Sequence, residues 1–291
     1  MAITQKSSIQ SGDYIVSDAI IAFKKSNVMF PLVKSQVAPK GSSTVKFTYY
    51  ADPSSGNVGA GTESSDYTST TERAISASTA TIAEYIVRTD VTDMAQLGSP
   101  SNLSGDVGQM LGQEMALKAD DLLTDLFSGF SNTVAGEDTA LSLASFFDAS
   151  RVLHANGAPL PFNFVGSPKS IWGTYGIQAL LTHTNSGSQV ADNPTSQAML
   201  ANGYVAQLAG VNIYWSPEVS EDIDTDSDST LNADAGMFSA GALGIGVASS
   251  GLVDVKQQRD ESARATEYIG ILRCGVSEVK DSFGVYMKHK V

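Results

Sequence analysis

One stretch of this chain cannot build a core of its own, and it limits every fold the rest can adopt. Thr44-Val45-Lys46-Phe47-Thr48-Tyr49-Tyr50 alternates, with Val45, Phe47 and Tyr49 on one face, the period of a half-buried β-strand. Residues 74–90, rich in Ile, Thr and Val, read as the returning strand. Between them, residues 51–72 hold Gly56, Gly59, Gly61 and many Ser and Thr, with almost no large apolar side chain. The unit is a β-hairpin with a tip of about 20 residues, whereas loops beyond roughly 12–15 residues inside a compact domain are usually functional or disordered. A protruding hairpin that meets a neighbouring molecule resolves the anomaly.

Composition agrees with a molecule that hides its surface in contacts. The 291 residues suggest one large domain or two modest ones. Hydrophobic residues at 42% and a mean hydropathy of −0.04 supply a core and exclude global disorder and collagen-like chains. Charged residues are only 17%, against about 25% in an ordinary soluble domain. Large subunit contacts would account for so few surface charges. The net charge of −13 disfavours a chain that binds nucleic acid over its whole surface.

That charge is unevenly spread. Residues 1–50 carry Lys6, Lys24, Lys25, Lys34, Lys40 and Lys46 against Asp13 and Asp18, whereas residues 51–250 carry five basic and 23 acidic residues. A mildly basic arm precedes a strongly acidic body, and the two are expected to face different surroundings.

A long amphipathic helix is predicted over residues 103–130. Leu103, Val107, Leu111 and Met115 recur every four residues, and Leu122, Leu123, Leu126 and Phe130 continue the stripe. Pro100, Ser101 and Asn102 give its start signals. Such a helix would run roughly 42 Å at ~1.5 Å per residue, a strut more than an enzyme element.

Before these elements, Ala19–Phe23 reads as a short helix and Val28–Val33, with Pro31, as an extended arm that packs on another chain or on the distant body. After them come a helix over about Leu141–Ala155, a strand at Phe162–Gly166 and a helix from Ser167-Pro168 through Trp172 towards Leu181. A hairpin-like segment turns near Gly210, between Val205 and Trp215. Short strands follow at Gly236–Ser239, Leu252–Lys256, Glu267–Val276 and Phe283–Lys288.

Catalytic and metal motifs fail one by one. Asp222, Asp224, Asp226 and Asp228 alternate like the opening of a calcium loop, but neither reading frame supplies the glycine at position six or the glutamate at twelve. They stay a weak metal candidate beside the simpler reading of a solvated acidic loop. Gly241-Ala242-Leu243-Gly244-Ile245-Gly246 and Gly56-Asn57-Val58-Gly59-Ala60-Gly61 reverse the dinucleotide spacing and read as turn glycines. Phosphate-loop and nucleophile-elbow patterns are absent from the sequence. Cys274 is the one cysteine and reads as a small buried apolar residue, and with scattered His154, His183 and His289 it offers no zinc spacing. No cofactor and no catalytic residue is assigned. Met1–Ser8 lacks an apolar signal core, and the uncharged run Ala235–Val253 is too broken by glycine for a membrane span. No membrane partner and a cytoplasm-like setting are expected.

The order of these parts resembles the major capsid proteins of tailed bacteriophages, the Hong Kong 97 capsid fold. Leu153-His154-Ala155-Asn156-Gly157-Ala158-Pro159 with Phe164-Val165-Gly166-Ser167-Pro168 is similar to the family's helix, turn, strand and second helix in its axial domain. Ala209–Ser216 resembles its Gly-Val-x-Ile strand, and Met237–Gly244 the entry to the peripheral domain. Asp260–Glu267, Tyr268–Val276 and Phe283-Gly284-Val285 resemble its closing strands.

The resemblance implies an α+β fold in five parts. These are an N-terminal arm (1–42), an extended loop hairpin (43–90), the spine helix with part of the peripheral domain (91–144), an axial domain (145–245) and peripheral return strands (246–291). It implies a structural protein, not an enzyme, that assembles with itself into hexamers and pentamers of an icosahedral head around double-stranded DNA. Portal and scaffolding proteins are implied partners, a decoration protein an optional one, and the location is the virion shell after assembly in the host cytoplasm. The hairpin would lie over a neighbouring subunit, placing Lys46, Asp52, Glu63, Asp66, Glu72 and Arg73 at the contact. The arm lysines, Lys6, Lys24 and Lys25, and the terminal Lys288-His289-Lys290 would line the lumen and soften repulsion with DNA.

Some family members crosslink a hairpin lysine to a neighbour's asparagine, but residues 51–72 contain no lysine, which speaks against that chemistry here. The family's N-terminal scaffolding segment has no counterpart before the arm, so a separate scaffold or prior cleavage is implied. Two rivals remain: an encapsulin-like nanocompartment shell, which keeps the fold, and a secreted β-rich adhesin with a metal-dependent Asp loop.

Overall fold

The computed structural model describes residues 19–23, 26–51, 58–61, 63–64, 66, 74–98, 103–173, 175–177, 204–208, 210–221 and 230–291. Its strands run β1 (Lys34–Val37), β2 (Thr44–Tyr50), β3 (Ile75–Thr81), β4 (Ala83–Thr92), β5 (Phe162–Gly166) and β6 (Tyr204–Leu208), then β7 (Val211–Trp215), β8 (Asn232–Ser239), β9 (Leu243–Val247), β10 (Val253–Asp260), β11 (Ala265–Glu278) and β12 (Gly284–Lys290). The helices are α1 (Asp93–Gly98), α2 (Leu103–Thr124), α3 (Leu143–Ala155) and α4 (Pro168–Trp172). The α+β class expected from the sequence holds.

The long helix α2 lies across the first sheet, ordered β1-β9-β11-β10 with β4 also on β11. Val107, Leu111, Met115, Ala116, Ala119 and Leu123 form its buried stripe. Each large apolar side chain removed from water there stabilises by roughly 1.5–3 kcal/mol. The helix is shorter than the periodicity predicted: 22 residues, ending at Thr124, followed by a 3₁₀ turn at Asp125–Gly129. The cause is aromatic packing. Phe127 stacks on Phe130 at 6.4 Å and tilts against Phe238 of β8 at 5.7 Å, tightening the last turn onto the second sheet. Cys274 sits buried in β11, as read from the sequence.

The second sheet runs β12-β8-β5-β7-β6. Its centre, β5, is buried along its whole length and pairs parallel to β7, as a strand covered on both faces should. Helix α3 closes one face with Phe146, Ala149 and Leu153. Its start is fixed by a capping box in which Ser142 and Ser145 satisfy each other's backbone N–H groups. Helix α4 stops at Trp172 because Gly173, whose N–H makes the last helical bond to the Lys169 carbonyl, turns extended. Residues 178–181 lie outside the described residues.

Two boundaries move. The strand read over 74–90 is two strands: β3 pairs with β2, β4 pairs with β11, and between them the Ile82 N–H donates to the Ser43 carbonyl at 2.8 Å. Residues 246–291 divide between sheets, since β10 and β11 join the first while β12 pairs with β8 in the second. Val285, Met287 and His289 alternate inward along β12, which suits it to the second core.

The arm docks on its own body. Ala19, Phe23, Met29, Leu32 and Val33 enter the core beneath α2, and β1 adds to β9 in parallel register. Gly112 permits the crossing, because a Cβ there would sit 2.3 Å from the Ala19 carbonyl oxygen. Segment 28–33, expected to be extended, instead contains a 3₁₀ turn at Phe30–Leu32 around Pro31.

Candidate assembly surface

The hairpin β2–β3 has a buried base and a bare end. Val45, Phe47 and Ala80 join Ala38 and Val279 in a small third core. The glycines read as turn residues in the sequence do a different job here: a Cβ at Gly244 would lie 2.8 Å from Phe47 and one at Gly246 2.8 Å from Val45. Strand β9 therefore lets the hairpin base lie flat on it. Ser78 bonds across to Ser277 and to the Glu278 carbonyl, a second tie.

Past this base the ladder continues without cover. Tyr50 and Ile75 pair across the strands and are 66% and 61% exposed, and Val58 in the tip is 80% exposed. Of the residues expected at a subunit contact, Lys46 projects from the exposed side of β2, and Glu63 and Asp66 are exposed in the tip. Asp52, Glu72 and Arg73 lie outside the described residues. A second bare patch escaped the sequence reading: Met94 and Leu97 on the short α1 are 77% and 82% exposed. The signal was two apolar residues three apart in a helix of six residues, too short to show periodicity.

The basic residues of the first sheet and of the C-terminal strand are largely spoken for. Across the outer face of the first sheet, Arg88 pairs with Asp90 and Glu267, Arg259 with Asp93, and Arg273 with Glu84. The Arg259 guanidinium holds the Asp93 carboxyl below its ordinary range. Lys288, expected to face a lumen, has a side chain only 15% exposed that pairs with Glu137 at 2.6 Å. Lys290 sits over the Tyr175 ring at 4.9 Å. His289 is buried in the second core, with Nδ1 beside the Met287 carbonyl, and burial holds its pKa below the usual imidazole value. The alternation of β12 is the reason: it turns His289 inward and leaves only its neighbours on the outer face. Lys6, Lys24 and Lys25 lie outside the described residues.

Among the described residues no group of His, Cys, Asp and Glu could hold a metal ion, and Asp222, Asp224, Asp226 and Asp228 fall outside them. No helix among them is long and apolar enough to cross a membrane.

No protein-family model and no curated protein matches the sequence. Solved structures do match, over about nine-tenths of the chain. The capsid of the cyanophage P-SCSP1u aligns at TM-score 0.67 and 11% identity over 91% of this chain and 88% of that one. The capsid of Ralstonia phage GP4 aligns at TM-score 0.64 and 12% identity over 91% and 92%. The virus-like particle from Pyrococcus furiosus aligns at TM-score 0.60 and 8% identity over 94% and 98%. The chain has the α+β fold of tailed-phage capsid proteins, the fold its order of elements resembles.

Proposed function

We propose that this chain is a major capsid protein, a structural subunit without catalytic role. It assembles with itself into hexamers and pentamers of an icosahedral phage head around double-stranded DNA. The observation that carries the reading is the hairpin: a base locked into its own chain and an end with exposed Tyr50, Ile75 and Val58, on a fold matched over nine-tenths of its length by capsid subunits. A rigid projection that finds its partner elsewhere on an identical chain makes a head-to-tail contact, the kind that builds rings when its rotation closes. In this reading Lys46, Asp52, Glu63, Asp66, Glu72 and Arg73 lie at that contact, and the hairpin covers a neighbour. In the same reading Lys6, Lys24, Lys25, Lys288 and Lys290 face the lumen, with the charge of Lys288 already shared with Glu137. Portal and scaffolding proteins complete the head, a decoration protein can join it, and the shell forms in the host cytoplasm before it belongs to the virion.

Negative-stain microscopy of the purified chain tests this. Uniform shells are expected, and a stable monomer under assembly conditions would overturn it. The match to the Pyrococcus furiosus particle supports one other reading, a protein nanocompartment with the same wall. The contents of shells purified from their source separate the two: double-stranded DNA for a head, a protein cargo for a compartment.

A further inference from the structure

We infer that the hairpin end of one copy seats in an apolar groove of the next copy, between its arm and the start of its β10. This rests on the shell reading and names the surface that receives the hairpin.

The groove has a volume of about 430 Å³. Buried Phe23 is its floor, and Ile20, Phe30, Pro31, Leu252 and Val253 wall it. Four of those five are half-buried and Pro31 is exposed, so the cleft leaves apolar area in water. The arm wall is firmly held. Phe30 meets Phe23 edge-on at 6.3 Å, and its N–H donates to Asn27 Oδ1 at 2.6 Å. Below it, the buried Asp120 carboxylate of α2 accepts from the N–H groups of Val28 and Met29 at 2.8 and 2.9 Å. A cleft tied in this way keeps its shape without an occupant.

The occupant follows from what else is bare on the chain. Tyr50 and Ile75, paired across β2 and β3, and Val58 in the tip are all exposed, so the hairpin end does not fill the groove of its own chain. A second copy supplies that end. Each copy then gives one hairpin and receives one, a head-to-tail contact. Charge agrees with this pairing. Residues 51–73 carry Asp52, Glu63, Asp66 and Glu72 against Arg73. Arm residues 26–40 carry Lys34 and Lys40, both exposed, and no acidic residue. Across the groove, Asp254 is shared by Arg273 and Lys256. An acidic tip entering beside a basic arm sets the register of the contact.

Giver and receiver are mounted on one strand. Strand β1, which continues the arm wall, pairs with β9, and Val45 and Phe47 of the hairpin base rest over Gly246 and Gly244 of the same β9. That common frame fixes the angle between successive copies, the quantity that decides whether a ring closes.

Photocrosslinking reads the occupant. p-Benzoylphenylalanine takes the place of Leu252 in the full-length chain, and copies carrying natural or heavy nitrogen are mixed before shells form. Irradiation should join position 252 to residues 47–73 of a copy with the other label. A join to residues 1–18, a join confined to copies of one label, a join to any other part of a neighbour, or no join at all would overturn the inference and leave the shell reading standing. A chain that forms no shells would overturn both. Charge at the same position is a second measure. Leu252→Asp, set against an acidic tip, should slow shell formation about tenfold, and Leu252→Lys should slow it less. Equal slowing by the two would overturn the assignment of the acidic hairpin to this groove.

Discussion

The arm and the hairpin begin from the same deficit and resolve it in opposite ways. Neither has a local core. The arm carries Phe23, Met29, Leu32 and Val33 and spends all four on its own chain, beneath α2. The hairpin carries Val45 and Phe47 only at its base, and past them it offers Tyr50, Ile75 and Val58 to solvent. Each approach is licensed by a missing side chain, Gly112 under the arm and Gly244 and Gly246 under the hairpin. An apolar segment without local partners thus need not be an intermolecular one. What separates the two is whether the apolar residues reach a surface of their own chain.

The sharpest test of the hairpin half is Phe47→Ala. Emptying that site should cost about 3–5 kcal/mol, the range for a buried phenylalanine. The loss should appear as exchange through β2 and β3 while β5 keeps its protection. A cooperative loss across both sheets would show that the hairpin base is no satellite. Met29→Ala probes the other half. About 2–5 kcal/mol should disappear here too, but as a lowered denaturant midpoint for the whole molecule, because Met29 sits in the large core with α2. Exchange confined to residues 26–37 would mean that the arm is an appendage after all. The smallest effect on stability belongs to the paired change Tyr50→Ser with Ile75→Ser. Exposed positions should move the unfolding midpoint by no more than about 0.5 kcal/mol per site, yet shell formation followed by light scattering should fail. Shells at the natural rate would detach the bare end from assembly.

Much of this was legible in the residues. The alternation Val45, Phe47, Tyr49 gave β2, and the four-residue recurrence from Val107 to Met115 gave α2. Other features carried no local signal. Strand β1, Lys34–Val37, is exposed along its length and exists because β9 passes beside it more than two hundred residues later. The break at Ile82 sits inside an unbroken β-rich run with no glycine or proline, so only the two different partners of β3 and β4 create it. Asp120 looked like one polar position among several on an amphipathic helix. Its burial follows from the arm that folds over it, and spacing within the helix cannot reveal that.

The one-residue gap at Ile82 also sets how force would travel. A load applied to the hairpin by whatever grips its end enters the body through Thr81 and Ile82 and arrives at Ala83. There β4 is registered against β11 from Cys274 back to Ala265. A pull directed along β4 strains those pairs together, in shear, rather than peeling them one at a time. Strand β11 shares the load with β10 on its other edge and with β9 beyond β4. The hairpin is thus tethered to the longest ladder among the described residues, so a pull on its end is spread over ten residue pairs at once.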